Sequence, residues 1–178
     1  MVDMMSFWTF SDVFEEGGPM QRPFVGAFGL RAKGGINKPS YYDFALLHEL
    51  GEQRLANPSN NVLVTKRKDG TLVVAAWNLV DLAENNGSIG GTVTMNIEFR
   101  NVPRNAEVSI ERVDDEHGNV LRKYAAMGSP VDPTESQVEQ LNRETALGQP
   151  ERTRLKDGRL ELTLERNAFT VVQVAVQQ

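Results

Sequence analysis

The chain has 178 residues, enough for one domain with a real core, or for one domain and a fragment of a second. With 40% hydrophobic and 24% charged residues and a formal charge of -5, it reads as soluble and globular and offers no concentrated basic patch for a nucleic-acid backbone. The lack of cysteine excludes disulfides and thiolate metal sites, and no apolar run approaches the roughly 18 residues of a membrane span. Met1-Val-Asp-Met-Met5 has neither a basic n-region nor a small-residue cleavage site, so no signal peptide is read there and the compartment stays open.

Residues 4 to 10, Met-Met-Ser-Phe-Trp-Thr-Phe, are almost continuously apolar, the pattern of a strand buried on both faces of a parallel sheet. Its C-terminal end runs through Ser11 and Asp12 into a loop holding Glu15, Glu16 and a run of Gly and Pro; α/β folds place their sites at such strand ends. A helix is predicted after Gly34-Gly-Ile-Asn-Lys-Pro39, with Pro39 in its first turn, Ser40 and Asp43 as a capping box, and Gly51 just past its end. Phe44, Leu47 and Leu50, with Tyr41 and Ala45, supply its buried face. Strand, long loop and helix make one βα unit, which lacks the neighbouring strands a domain needs.

After the polar linker Ala56-Asn-Pro-Ser-Asn-Asn61 the texture becomes that of short antiparallel strands. Val62 to Lys66 and Leu72 to Asn78 flank Lys68-Asp-Gly70, a hairpin signal, and Lys66-Arg-Lys68 is read as its charged tip. From Thr92 to Phe99 the side chains alternate, with Val93, Met95, Ile97 and Phe99 on one face. Val108 to Val113 and Val120 to Tyr124 bracket the turn Asp114 to Asn119; Leu160 to Leu164 and Phe169 to Val176 close the chain. The expected fold is therefore mainly β, an antiparallel sandwich preceded by one βα unit. A short helix interrupts it, with Asp132 as N-cap, Pro133 at N1 and Glu135 at N3. The expected domains are 1–55 and 56–178.

Asp12, Glu15 and Glu16 are carboxylates of a kind that serve glycoside hydrolysis or accept hydrogen bonds from sugar hydroxyls; a solvated acidic loop is the equal alternative. Adjacent Glu15 and Glu16 diverge and do not suit an acid and nucleophile pair. Trp8 is either a stacking platform for a sugar or core filler, and Trp77 reads as sandwich core. His48 borders the core and His117 is solvated; no set of residues has zinc spacing, so neither metal nor cofactor is expected.

Trp8-Thr-Phe-Ser-Asp-Val-Phe-Glu-Glu16, Phe28-Gly-Leu30, Gly35-Ile-Asn-Lys-Pro39 and the helix to Leu50-Gly51 together resemble the end of the catalytic barrel of glycoside hydrolase family 39, which contains β-xylosidases and, more distantly, α-L-iduronidases. The likeness continues through Asp69-Gly-Thr-Leu, Trp77-Asn-Leu79, Met127-Gly-Ser-Pro130 and Pro133-Thr with Gln137 to the last strands. It implies a (β/α)8 barrel with a C-terminal β-sandwich, and a retaining two-carboxylate mechanism. Residues 4 to 51 correspond to strand eight, its loop and helix eight. Both catalytic glutamates, one in an Asn-Glu-Pro context absent here, are then expected upstream of residue 1, with roughly 220 barrel residues.

The resemblance makes Trp8, Asp12, Glu15 and Glu16 substrate-binding residues for a xyloside-like carbohydrate in the full enzyme, with no catalytic residue in this chain. Pro23-Phe-Val-Gly-Ala-Phe-Gly-Leu30 has Val25 where xylosidases usually carry histidine, which leaves the sugar open. The alternative is a non-catalytic sandwich that binds carbohydrate or a protein. An apolar strand without its barrel neighbours also invites self-association; no nucleic-acid or membrane partner is expected.

Overall fold

The computed structural model describes residues 6–80 and 91–175, without the side chains of Phe14 and Glu15. The protein is mainly β, with open sheets in a sandwich-like arrangement and an N-terminal βα unit. It divides into two compact units, one of residues 1–42 and 118–146, the other of 43–117 and 147–178.

Among the described residues the first unit holds four two-residue strands: β1 (Phe14–Glu15) pairs with β2 (Gly18–Pro19), and β3 (Arg31–Ala32) with β4 (Ile36–Asn37). The apolar stretch before them differs from expectation. Residues 4 and 5 lie outside the described residues, and residues 6–10 form no strand; Phe7, Trp8 and Phe10 are exposed instead of buried on two faces. Among the described residues the one parallel link is a bridge from Ser11 to Arg31. A two-faced strand needs parallel neighbours on both sides, and the described residues supply one short segment.

Beyond β4, helix α1 (Pro39–Leu47) starts at Pro39 as expected, but its buried positions are Tyr42 and Leu46, whereas Leu47 and Ala45 are exposed. Apolar residues run almost all round this helix, so periodicity alone could not choose the stripe. Ser40 lies inside the first turn, and Asp43 forms no capping box with it; Asp43 Oδ1 is buried without a hydrogen-bond partner. His48, expected beside the core, is exposed.

The second unit is built on a six-stranded antiparallel sheet. Its members are β5 (Gln53–Leu55), β6 (Val62–Lys66), β7 (Leu72–Trp77), β9 (Glu107–Val113), β10 (Glu151–Arg154) and β12 (Phe169–Val174), in the order β10-β9-β12-β7-β6-β5. Strands β8 (Val93–Glu98) and β11 (Arg159–Leu164) form a separate pair. Strand alternation builds the core: Val74, Ala76, Val108, Ile110, Val172 and Val174 from the large sheet meet Leu160, Leu162 and Leu164 from β11 and Phe99, just past the end of β8. Trp77 is not in this core. It points with Val73 and Ala75 to the opposite face of β7, half-buried, beside a cavity of about 220 Å³ lined by Asp43, Leu47, Leu79 and Phe169.

The hairpin between β6 and β7 turns where expected, with Gly70 at φ +90° and Asp69 accepting from the Thr71 N–H. Arg67 is more than a charged tip: it reaches the Glu49 carboxylate at 2.7 Å and backbone carbonyl, and Gln173 at 3.0 Å.

Val120 to Tyr124, expected to be a strand, is instead helical: α2 (Leu121–Ala126) begins where Asn119 Oδ1 accepts the Leu121 N–H. Helix α3 (Glu135–Glu144) starts two residues later than its Asp132-Pro133 signal. Thr134 is the N-cap, in a capping box with Gln137. Both helices belong to the first unit, where Val120, Tyr124 and Leu141 pack with Ala32 and Ile36. Asn142 ties them to the β3–β4 turn, accepting from Asn37 N–H at 2.8 Å and donating to Gly35 O at 3.0 Å.

Candidate functional site

The loop that follows Trp8 is held from within by one buried carboxylate. Asp12 is 4% exposed; its Oδ1 accepts the Gly29 N–H at 2.7 Å and its Oδ2 lies 2.7 Å from Lys38 Nζ. Lys38, partly buried, also donates to the Ala27 carbonyl at 2.8 Å, so buried Asp12 and the Lys38 ammonium together hold the 27–29 segment. Backbone bonds continue the clamp: Leu30 N–H to Thr9 O, Arg31 N–H to Phe10 O, Asp12 N–H to Arg31 O and Lys38 N–H to Leu30 O, all between 2.8 and 3.1 Å.

Glycine at position 29 follows from this contact. A Cβ there would lie 2.4 Å from Asp12 Oδ1 and 2.6 Å from Asp12 N, so no side chain fits without moving backbone. Neither Gly29 nor Lys38 had a role assigned from sequence, although both sit inside the blocks Phe28-Gly-Leu30 and Gly35-Ile-Asn-Lys-Pro39. Spacing gives no signal of a partner so far along the chain.

Around the clamp stand rings that the fold leaves in solvent. Trp8 is 75% exposed, Phe10 59% and Phe28 57%, and Phe10 meets Tyr41 edge-on at 6.4 Å. The Trp8–Thr9 peptide is cis. Beyond Asp12 the chain makes the β1–β2 hairpin, with Glu15 paired to Gly18 and Glu16 exposed at the tip. The Glu15 side chain lies outside the described part. Of the expected site residues, then, Asp12 is turned inward, both oxygens engaged within the chain, while Trp8 and Glu16 face solvent.

What this arrangement offers chemically is an exposed indole, suited to the apolar face of a ring, beside an acidic hairpin that can accept hydrogen bonds from hydroxyls. Among the described residues no three His, Asp or Glu side chains gather as metal ligands. Exposed His117 bonds Asp114 at 2.8 Å; partial burial pushes the Asp114 carboxyl up, but the bonds from the Glu116 and His117 N–H groups and the His117 ring outweigh it and hold the group below its ordinary range.

The family model for glycosyl hydrolases family 39 matches residues 1–159. The chain belongs to glycosyl hydrolase family 39. It is 33% identical to a β-xylosidase of Geobacillus stearothermophilus across 97% of its own length and 34% of that enzyme's. A β-xylosidase of Caldicellulosiruptor saccharolyticus is 31% identical over 76% of this chain and 28% of its own. The crystal structure of a monomeric β-xylosidase from Caulobacter crescentus CB15 superposes with a TM-score of 0.77 at 23% identity, over 98% of this chain and 38% of that one, a likeness of fold. This family 39 chain thus spans about a third of the length of the relatives it matches. No described helix is long and apolar enough to cross a membrane.

Proposed function

We propose that this chain is the C-terminal portion of a retaining, β-xylosidase-type glycoside hydrolase. Residues 1–55 are the last βα unit of the catalytic barrel and residues 56–178 the accessory sandwich with its helical insertion. Trp8, Glu15 and Glu16 face the sugar, and Asp12, through Gly29 and Lys38, holds the loop that carries them. The acid/base and nucleophile glutamates belong to the rest of the barrel, so the isolated chain binds no xyloside productively and does not turn one over.

The observation that carries this reading is the match itself: the Geobacillus stearothermophilus protein named a β-xylosidase aligns with 97% of this chain, which spans only 34% of that protein's length. The exposed Trp8 and Phe10 support it, because apolar side chains at a barrel strand end are left open when the other strands are absent. The test is an assay of the purified chain on aryl β-xylosides. The expected result is turnover no faster than a buffer blank; hydrolysis well above it, in a preparation free of other glycosidases, overturns the assignment of both catalytic glutamates to the missing part.

A further inference from the structure

Strands β10 and β11 meet at a bridge between Lys156 and Arg159 and then part, β10 to the edge of the six-stranded sheet and β11 to its pairing with β8. A cleft of about 350 Å³ lies along them, a size within the usual range of roughly 300 to 1,000 Å³ for small-molecule sites. It has no part in the loop around Trp8.

Its charge is opposite to that of the chain. Arg112, Arg154, Lys156 and Arg159 line it against two carboxylates, Glu151 and Glu161, in a protein of net charge -5. Glu151 is already paired with Arg112 at 2.6 Å, and Arg154 makes one long bond, 3.3 Å, to the Asn105 carbonyl. Among the described residues Lys156 and Arg159 have no ion-pair partner for their side chains, so three exposed cations face one unpaired carboxylate.

The lining selects the ligand class. It contains no aromatic side chain, so a neutral sugar would find no ring to stack on, and affinity has to come from charge-assisted hydrogen bonds. Guanidinium forks match a carboxylate with two parallel N–H···O bonds. Thr153 and Thr163 add hydroxyls that give and accept hydrogen bonds. An added peptide strand is disfavoured, because charged side chains at positions 151, 152 and 154 guard the β10 edge.

We propose that the cleft is a binding site for a carboxylate-bearing pyranose, a uronic acid. The choice of a sugar over other small carboxylates rests on the glycosidase reading above; the choice of an anion rests on the cleft alone.

The test is calorimetric titration of the full chain with D-glucuronate, D-glucose, acetate and inorganic phosphate, at low and at physiological salt. Glucuronate is expected to bind at least about tenfold more tightly than glucose and to weaken as salt screens the cations. Replacing Arg154, Lys156 and Arg159 together by Ala is expected to lower its affinity by about tenfold or more, with an unchanged circular dichroism spectrum. The single exposed-site variant Lys156→Ala gives a smaller loss in the same direction if the triple variant does not fold.

Equal binding of glucose and glucuronate, or variants that bind as well as the parent, would overturn the site. Phosphate or acetate matching glucuronate would reduce it to an adventitious ion only and overturn the sugar. Failure of the glycosidase reading shows elsewhere, as xyloside turnover by the isolated chain.

Discussion

Lys38 Nζ lies 2.7 Å from Asp12 Oδ2, with the two side chains 14% and 2% exposed. Removing one partner of such a pair leaves a buried group without compensation. Asp12→Ala and Lys38→Ala are each expected to cost about 3 kcal/mol, and the double variant much less than their sum. Urea unfolding of the four proteins checks this; additive losses would mean that the two side chains do not act as a pair. Gly29→Ala belongs with them, because its Cβ would collide with Asp12, and a loss of about 1 to 3 kcal/mol is expected.

This clamp also marks where sequence reading stops. Features set by neighbours in the chain were legible: the Lys68-Asp69-Gly70 turn, the alternation from Val93 to Phe99, and Pro39 at the start of α1. The sandwich followed from such local signals, and the expectation of a sugar site on the loop after Trp8 came from the family resemblance. Features set by distant contacts were not. Val120 to Tyr124 looked like a strand because Val, Leu and Tyr suit one, yet Val120 and Tyr124 are spaced to bury one helical face among Ala32, Ile36 and Leu141. Trp77 looked like sandwich core because strand alternation tells which residues share a face, not which face the second sheet covers. Strands β5 and β10 are too short and polar to announce themselves.

Asp43 sets a pH dependence. Burial beside the cavity at Trp77 and Leu47 raises its pKa from 3.8 to about 6. The folded protein therefore holds this proton more tightly than the unfolded chain. The contribution is fully present below pH 3.8 and is lost as pH rises through about 6. Asp43→Asn removes that loss. After allowance for partial exposure, it is expected to stabilise the chain by about 1 to 2 kcal/mol at pH 7, with the gain vanishing in acid. Thermal melts across the pH range check the sign; a variant that is less stable at pH 7 than at pH 4, relative to the parent, contradicts it.

Phe7, Trp8, Phe10 and Val13 are 48%, 75%, 59% and 66% exposed, an apolar run at the start of the site loop. Exposed patches of this kind recruit other copies when nothing covers them. If the isolated chain self-associates through this run, replacing Phe7 and Phe10 together by Ser is expected to reduce the association in light scattering, at a cost in unfolding free energy of about 0.5 to 1.5 kcal/mol from the lost Phe10–Tyr41 contact. Unchanged scattering would locate any association elsewhere on the surface.

Trp8 and Glu16 give the sharpest separation of binding from folding, because neither is used to hold the loop. Both are exposed, so Trp8→Ala and Glu16→Ala are expected to shift the stability of the chain by no more than about 0.5 kcal/mol. In a complete family 39 enzyme carrying this segment, the proposal that these residues face the sugar predicts that the same changes lower its kcat/KM. Loss of the indole face removes about 0.5 to 1.5 kcal/mol, a fewfold to about tenfold in kcat/KM; loss of a charged acceptor removes about 1.5 to 3 kcal/mol, roughly ten- to a hundredfold. Steady-state kinetics on an aryl β-xyloside, beside denaturation of the isolated chain, provide both readouts. A variant that destabilises the chain while leaving kcat/KM of the complete enzyme intact would make the residue a packing element and remove it from the sugar-facing set.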